Sequence, residues 1–291
     1  MAVRRFMHIG RPASLTLGVV LFALLAILLL AGAAQAAKPG APNAKAPAGA
    51  IATATPTFTW NKAARATTYE VRVYDAGTLK VVLKKAGLTK LSWKSSKTLP
   101  RNVDLMWAVR GVNADGMGAP SNVSGFKIKL AVGNAYQGGK VAYIFKSGDP
   151  GYVAGQTHGL IAAKADQKTT GVQWYNGSYA ATGATGTALG TGFSNTNMII
   201  LVQGAPSSGY AAGVARAYQG GGYTDWYLPS KDELNQLFLH QAKIGGFGPH
   251  YYWSSSEFDA STAWAKAFDL SSPAYAYSKN GASYVRAVRV F

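Results

Sequence analysis

The side chains able to do covalent chemistry are few and poorly grouped. The sequence holds no cysteine, which excludes a disulfide framework, a thiolate zinc site and a lipid-bearing cysteine. Of the four histidines, His8 lies near the N-terminus, and His158, His240 and His250 stand apart without the spacing of metal ligands. Asp232 and Glu233 are neighbours whose side chains diverge on a helix, where both suit its positive N-terminal end. Ser254, Ser255 and Ser256 supply hydroxyls with no histidine base nearby in sequence. The glycine-rich run at 182–192 lacks the Lys-Ser/Thr ending of a phosphate-binding loop and suits a surface turn. Neither an enzyme, a metal site nor a cofactor is expected from these residues.

Non-covalent chemistry is better supplied. The formal charge is +17, and it is concentrated: residues 37–130 hold fifteen basic and four acidic side chains, residues 131–291 eleven and eight. On a candidate strand at 80–85, Lys80, Val82 and Lys84 share a face; around the next, at 91–94, Lys90, Ser92 and Lys94 do so, with Trp93 opposite. Lys85 and Lys97 add to the field. Such lysines attract sulfated or otherwise anionic polysaccharide over a distance that salt shortens. They serve equally well to keep a small sandwich soluble and to blunt its edges, and strands in different sheets would share no binding surface.

Aromatic faces are the second resource, with 16 tyrosines and 7 tryptophans. Trp174, Tyr175 and Tyr179 lie among Gly, Asn and Ser; Tyr275 and Tyr277 alternate before Lys279, between the loop markers Pro273 and Asn280. Sugar rings stack on such faces, although most aromatics fill cores, and Trp226, Trp253 and Trp264 are assigned there. On the final strand Arg286 shares a face with Tyr284, Val288 and Val290. Arg289 shares the other face with Val285, Ala287 and Phe291. One of the two is expected to be covered in a structural ion pair, with Asp225, Asp269 or Glu257 as partner, or else Arg286 or Arg289 gives two-pronged recognition of a sulfate or carboxylate. The expected glycan-binding set is thus Lys80, Lys84, Lys90, Lys94, Tyr275, Tyr277, Lys279 and Arg286. The expected partner is an anionic polysaccharide or a host or extracellular-matrix glycan, with a protein receptor as the other possibility and nucleic acid not among them.

Several elements must position these residues. Arg4, Arg5 and Arg11, an uncharged apolar run at 15–33 and Ala34-Gln35-Ala36 make residues 1–36 an export signal. The run is also long enough to span a bilayer if it is not cleaved, the one membrane contact expected. Residues 37–54, rich in Ala, Pro, Gly and Lys, read as a linker, without a Gly-X-Y period. Between 55 and 130, strands are expected at 56–60, 69–75, 80–85, 91–94, 105–113 and 126–130, with an Asn-Ala-Asp-Gly turn at 113–116 before the last. This layout resembles a fibronectin type III domain, with Trp60 in the position of its core tryptophan; Leu105 stands where that family usually has the tyrosine of its corner.

The clearest helix start is in GYTDWYLPSKDELNQLF, residues 222–238. Ser230 and Glu233 have the spacing of a reciprocal cap, Leu234, Leu237 and Phe238 follow at helical spacing, and Gly245 and Gly246 offer the freedom on which helices end. Earlier helices are expected after Asn195 as cap, containing Met198, Ile199, Leu201 and Val202, and at 210–218. With YYWSSSE (251–257), AWAKAF (263–268), YVRAVRVF (284–291), YQGGKVAYIF (136–145), HGLIAA (158–163) and TGATGTALGTGFSNT (182–196), the stretch resembles the C-terminal domain family of the Lcl collagen-like adhesins over residues 134–291. The resemblance implies a fold akin to C-type lectins and formylglycine-generating enzymes, with the strand at 140–145 beside the last strand. Formylglycine formation relies on cysteines that this chain lacks. In the Lcl adhesins such a domain binds sulfated glycosaminoglycans. The expected architecture is an all-β fibronectin-III-like sandwich followed by an α+β C-type-lectin-like domain. The expected protein is secreted, surface-displayed or periplasmic and adhesin-like, with a protein-interaction or envelope-structural module as the alternative.

Overall fold

A computed structural model describes residues 37–205, 209–269 and 273–291; the export signal expected at 1–36 lies outside them. Among the described residues no helix is long and apolar enough to cross a membrane. Two bodies follow one another, and among the described residues no sheet joins strands on both sides of residue 130.

The first body uses β1 (Ala44–Ala46), β2 (Gly49–Ile51), β3 (Thr57–Trp60), β4 (Thr68–Asp75), β5 (Val81–Leu88), β6 (Ser92–Lys94), β7 (Asp104–Asn113), β8 (Gly116–Pro120) and β9 (Ser124–Ile128). One sheet runs β1-β3-β6; the other runs β2-β9-β7-β4-β5, with β8 on β7. Alternation decides which side of each strand is covered: on β4, Tyr69, Val71 and Val73 are buried while Arg72 and Tyr74 are half-buried on the other face. The two inner faces meet where Phe58 packs edge-on against Trp107, ring centroids 5.0 Å apart. Trp60 is buried against Tyr69.

Residues 37–54 are not a linker. Ala44 and Ala46 pair with Trp60 and Thr59, and β2 lies parallel to β9. Between them the Pro47 carbonyl accepts the Trp107 indole N–H at 2.9 Å. Strand pairing needs backbone groups rather than large side chains, and an edge tolerates proline, so a composition too poor to build a core still completes two sheets. The Asn113–Gly116 turn joins β7 to β8, a strand the sequence did not announce, rather than leading into the last strand.

The second body contains β10 (Ala135–Tyr136), β11 (Gly139–Ile144), β12 (Gly159–Ala162), α1 (Gly192–Gln203), α2 (Ala211–Ala217), α3 (Lys231–Leu239), α4 (Gln241–Ile244), β13 (Tyr251–Glu257), β14 (Thr262–Ala267), β15 (Tyr275–Ser278) and β16 (Val288–Val290). It is α+β, with sheets β10-β11-β12-β16 and β13-β14-β15. The last strand therefore lies beside β12, which intervenes between it and β11. The cap of α3 forms as its spacing requires: Glu233 N–H donates to Ser230 Oγ at 3.3 Å, and Ser230 N–H to Glu233 Oε2 at 2.8 Å. Burial raises the Glu233 carboxyl above its ordinary value, against the lowering effect of the Ser230 and Gly190 amides that donate to it. Helix α1 begins at Gly192, and Asn195, assigned above to its cap, sits buried inside it and donates to Gly186 O. Gly245, at φ 73°, ends α4. Trp226 and Trp253 are fully buried, as assigned.

If the 37–51 segment belongs to the sandwich, deleting it should lower the urea midpoint markedly and cost about 3 kcal/mol or more, since several ladder hydrogen bonds and the Trp107 partner go together. A midpoint unchanged by the deletion would return the segment to the role of a tether.

Candidate functional site

The expected lysines of the sandwich, Lys80, Lys84, Lys90 and Lys94, are all exposed, but they do not form one surface. Lys84 faces Arg72 across β5 and β4, on the side opposite buried Val71 and Val73, so it lies on the outer face of the larger sheet. Lys94 faces Thr57 across β6 and β3, opposite buried Phe58, so it lies on the outer face of the smaller one. Because the inner faces pack together, these outer faces point in opposite directions. Lys80 sits at the β4–β5 turn, where its carbonyl accepts Asp75 N–H; Lys90 lies between β5 and β6. Both strands end their sheets, so the lysines line an edge and its two flanks. Lys84 is also paired, its ammonium 3.2 Å from the buried Glu70 carboxylate.

Two of the expected cations are internal. Lys279 is fully buried and each of its three ammonium donors has an acceptor: Glu257 Oε1 at 2.5 Å, Ala180 O at 3.0 Å and Ala260 O at 3.0 Å. Its charge lies 4.5 Å from the centre of the Trp174 ring, which adds cation–π attraction. Glu257 in turn accepts the backbone N–H groups of Thr182 and Gly183. Arg286 is fully buried too. Its Nε and Nη2 donate to Asp166 Oδ1 at 2.8 and 2.6 Å, its remaining donors go to the carbonyls of Ala163, Gly245 and Gly246, and it stacks on Phe247. Neither Lys279 nor Arg286 is available to a polysaccharide, because a buried charge is kept by partners that use its donors. Arg286 pairs with Asp166, which is not among the three carboxylates expected for Arg286 or Arg289; of those three, Asp225 is a partner, gripping Arg289 with two hydrogen bonds at 2.7 and 2.9 Å. Those bonds hold the Asp225 carboxyl below its ordinary value. The stability it lends is complete above the usual carboxylate range and is lost as pH falls through the depressed value.

Tyr275 and Tyr277 do come together, on a terrace that sequence reasoning only half identified. On β14 the residues of one face are Ala263, Ala265 and Ala267, paired on one side with Tyr251 and Trp253 of β13 and on the other with Tyr275 and Tyr277 of β15. Alanines on the middle strand leave room for the rings of the outer strands to meet above them: Tyr251 lies 5.4 Å from Tyr275 and 6.1 Å from Tyr277. Trp253 closes one end, fully buried and 5.5 Å from Tyr277. Tyr251 stays exposed, Tyr275 and Tyr277 half-buried. Burial, then the neighbouring Tyr251, pushes the Tyr275 phenol above its ordinary value, so it is a neutral hydrogen-bonding group at physiological pH. Tyr179 stacks on Tyr175 at 4.9 Å and brings its hydroxyl to 3.4 Å from Ser278 Oγ, on the face of β15 that Tyr275 and Tyr277 do not share. The missed member, Tyr251, was signalled by period-two alternation in YYW against AWAKA. Trp264, on the other face of β14, is only half-buried, with the Lys231 ammonium 3.8 Å from its ring centre.

A terrace of this kind offers flat apolar area with phenolic handles, suited to the face of a ring rather than to bond-making. Among the described residues no group of three or more His, Cys, Asp or Glu could hold a metal ion.

The family model of the Lcl C-terminal domain matches residues 163–289, less than the second body, whose sheet begins at Ala135. Among solved structures, the chain is similar to the FN5 domain of Drosophila Lar (17% identity, 32% of this chain and 99% of that one, TM-score 0.27). It is similar also to an Fn3-like protein from Clostridium thermocellum (16%, 33% and 95%, TM-score 0.25) and to chicken CNTN1 FN1-FN3 domains (16%, 33% and 37%, TM-score 0.27). The sandwich assignment stands on its own strand order and inter-sheet core. No curated protein matches the chain.

Replacing Lys279 with Met should cost about 3–5 kcal/mol in urea denaturation, because Glu257 is left buried without its cation. The double variant Lys279→Met/Glu257→Gln should recover part of the loss. A single-variant cost below about 1 kcal/mol, the range of exposed pairs, would show that the pair is not a buried anchor.

Proposed function

We propose that the chain is an exported, adhesin-like protein that holds anionic glycans without transforming them, a reading supported by the match of residues 163–289 to the Lcl C-terminal domain and by the fibronectin type III-like sandwich before it. The observation that carries this reading is the separation of its charges. In the second body three of the basic side chains are consumed in buried or half-buried pairs, Lys279 with Glu257, Arg286 with Asp166 and Arg289 with Asp225. In the sandwich, Lys80, Lys85, Lys90, Lys94 and Lys97 remain exposed beside strands that end their sheets. An unneutralised edge of this sort concentrates polyanions near it. The tyrosine terrace supports the same reading from the other body, as a place where a sugar ring could lie against Tyr251, Tyr275 and Tyr277.

A second reading, a protein-interaction or envelope-structural role, is favoured by the opposite orientation of Lys84 and Lys94. Lysines spread over an edge and both its flanks suit protection of edge strands from pairing better than one docking face.

The two readings diverge on a heparin column loaded with the full chain. Glycan binding predicts retention at low salt and elution as salt rises, with Lys90→Glu/Lys94→Glu eluting clearly earlier at an unchanged melting temperature. Tyr275→Ala/Tyr277→Ala should weaken binding of a defined sulfated oligosaccharide several-fold with little change in the salt dependence. Flow-through of the unmodified chain at low salt would rule the glycan reading out.

A further inference from the structure

The outer face of the larger sheet carries a cation cluster that edge protection does not require. Glu70 is 5% exposed, and its two oxygens are taken by Arg72 Nε at 2.6 Å and the Lys84 ammonium at 3.2 Å. Arg72 and Lys84 stand directly opposite one another on β4 and β5, an arrangement of like charges that costs stability and that Glu70 offsets. Arg110 is the unexplained member. It stands directly opposite Glu70 on β7, yet its guanidinium donates to Met117 Sδ at 3.7 Å and makes no ion pair among the described residues. Three cations thus surround one carboxylate.

The register also makes a concavity among them. Arg72 faces Ala108 across β4 and β7, and Arg110 faces Pro120 across β7 and β8. Since Ala108 has only a methyl group, the space above it stays open between the two arginines. It measures about 40 Å³ and is lined by Glu70, Arg72, Tyr74, Ala108, Arg110 and Pro120. That is room for one small oxyanion and too little for a sugar ring. Arg72 spends its Nε on Glu70 and also hydrogen-bonds the Tyr74 side chain, which still leaves donors over from the five N–H groups of a guanidinium.

We propose that this concavity is a site for a single sulfate group of a polysaccharide, gripped by Arg72 and Arg110 with Lys84 at its rim. The proposal rests on the anionic-glycan reading and adds to its edge lysines one defined place, on one outer face of the sandwich. Guanidinium groups suit the task because their paired donors match an oxyanion with two hydrogen bonds at once. Glu70 is the positioning residue: buried and doubly paired, it holds Arg72 and Lys84 upright beside the gap.

The test is a titration of the full chain with sodium sulfate at constant ionic strength, following the Nε–H resonances of Arg72 and Arg110 by NMR. Both should shift saturably with sulfate and not with chloride, and acetate should act far more weakly. Ala108→Leu fills the gap without changing any charge and should weaken sulfate binding at least tenfold; Lys94→Glu, on the opposite outer face, should leave it within about twofold. If Ala108→Leu fails to fold, Arg110→Gln, which strands no buried partner, should give the same loss. No saturable shift, equal response to acetate, or a shift that survives both variants would overturn the site. A saturable sulfate shift in a chain that heparin does not retain would sustain the site and defeat the polysaccharide reading. Retention without the shift would do the reverse.

Discussion

Lys279 and Glu257 are the pair on which the second body turns. Each belongs to a different segment of one sheet region, Glu257 at the end of β13 and Lys279 just after β15. Between them they draw in the loop at 180–183 through Ala180 O and the Thr182 and Gly183 amides. A lysine taken wholly out of water is tolerated only when each donor has an acceptor and the charge has a counter-charge, and here both conditions hold. The consequence reaches the surface. The terrace tyrosines sit two and four residues before Lys279, and Tyr179 just before Ala180, so the residues that could meet a ligand are held by an interaction no ligand can touch.

The same economy governs the other charges of that body. Arg286, just before the terminal strand, and Arg289, on it, each find a carboxylate more than sixty residues away in sequence. Such pairs contribute little net stability compared with a well-packed apolar alternative, but removing one partner is costly; they fix which loops may approach which strands. Three of the body's eleven basic side chains are therefore architecture, and the terrace adds an aromatic resource to the lysines that stay outside. The sandwich has the opposite disposition, an apolar inner core and cations displayed on its edge and outer faces. The two modules thus differ in chemistry, one displaying charge and the other flat apolar area.

What the sequence by itself determined follows from local rules. The reciprocal cap of Ser230 and Glu233 depends on residues three apart, and the alternation on β4 depends on a period of two, so both were legible without any knowledge of distant partners. The motifs of the C-terminal half were equally legible, being contiguous. Strand pairing was harder where composition misled: Ala44 to Ile51 builds no core of its own, and only the presence of β3 and β9 beside it turns that backbone into two edge strands.

Only the tertiary structure decided which charges are available. Lysines at period two on adjacent candidate strands look alike in sequence whether their strands share a sheet or close opposite sheets, and that choice set Lys84 and Lys94 on opposite sides. Lys279 looked like a loop cation beside two tyrosines until Glu257 and two carbonyls, each at least nineteen residues away, were brought to its ammonium. Conversely, Arg110 and Ala108 carry no local signal at all, and their juxtaposition with Arg72 and Glu70 exists only in the register of β7 against β4. Local periodicity fixes which way a side chain points from its own strand; what stands opposite it, counter-charge, alanine or water, is set by pairing between segments remote in the chain.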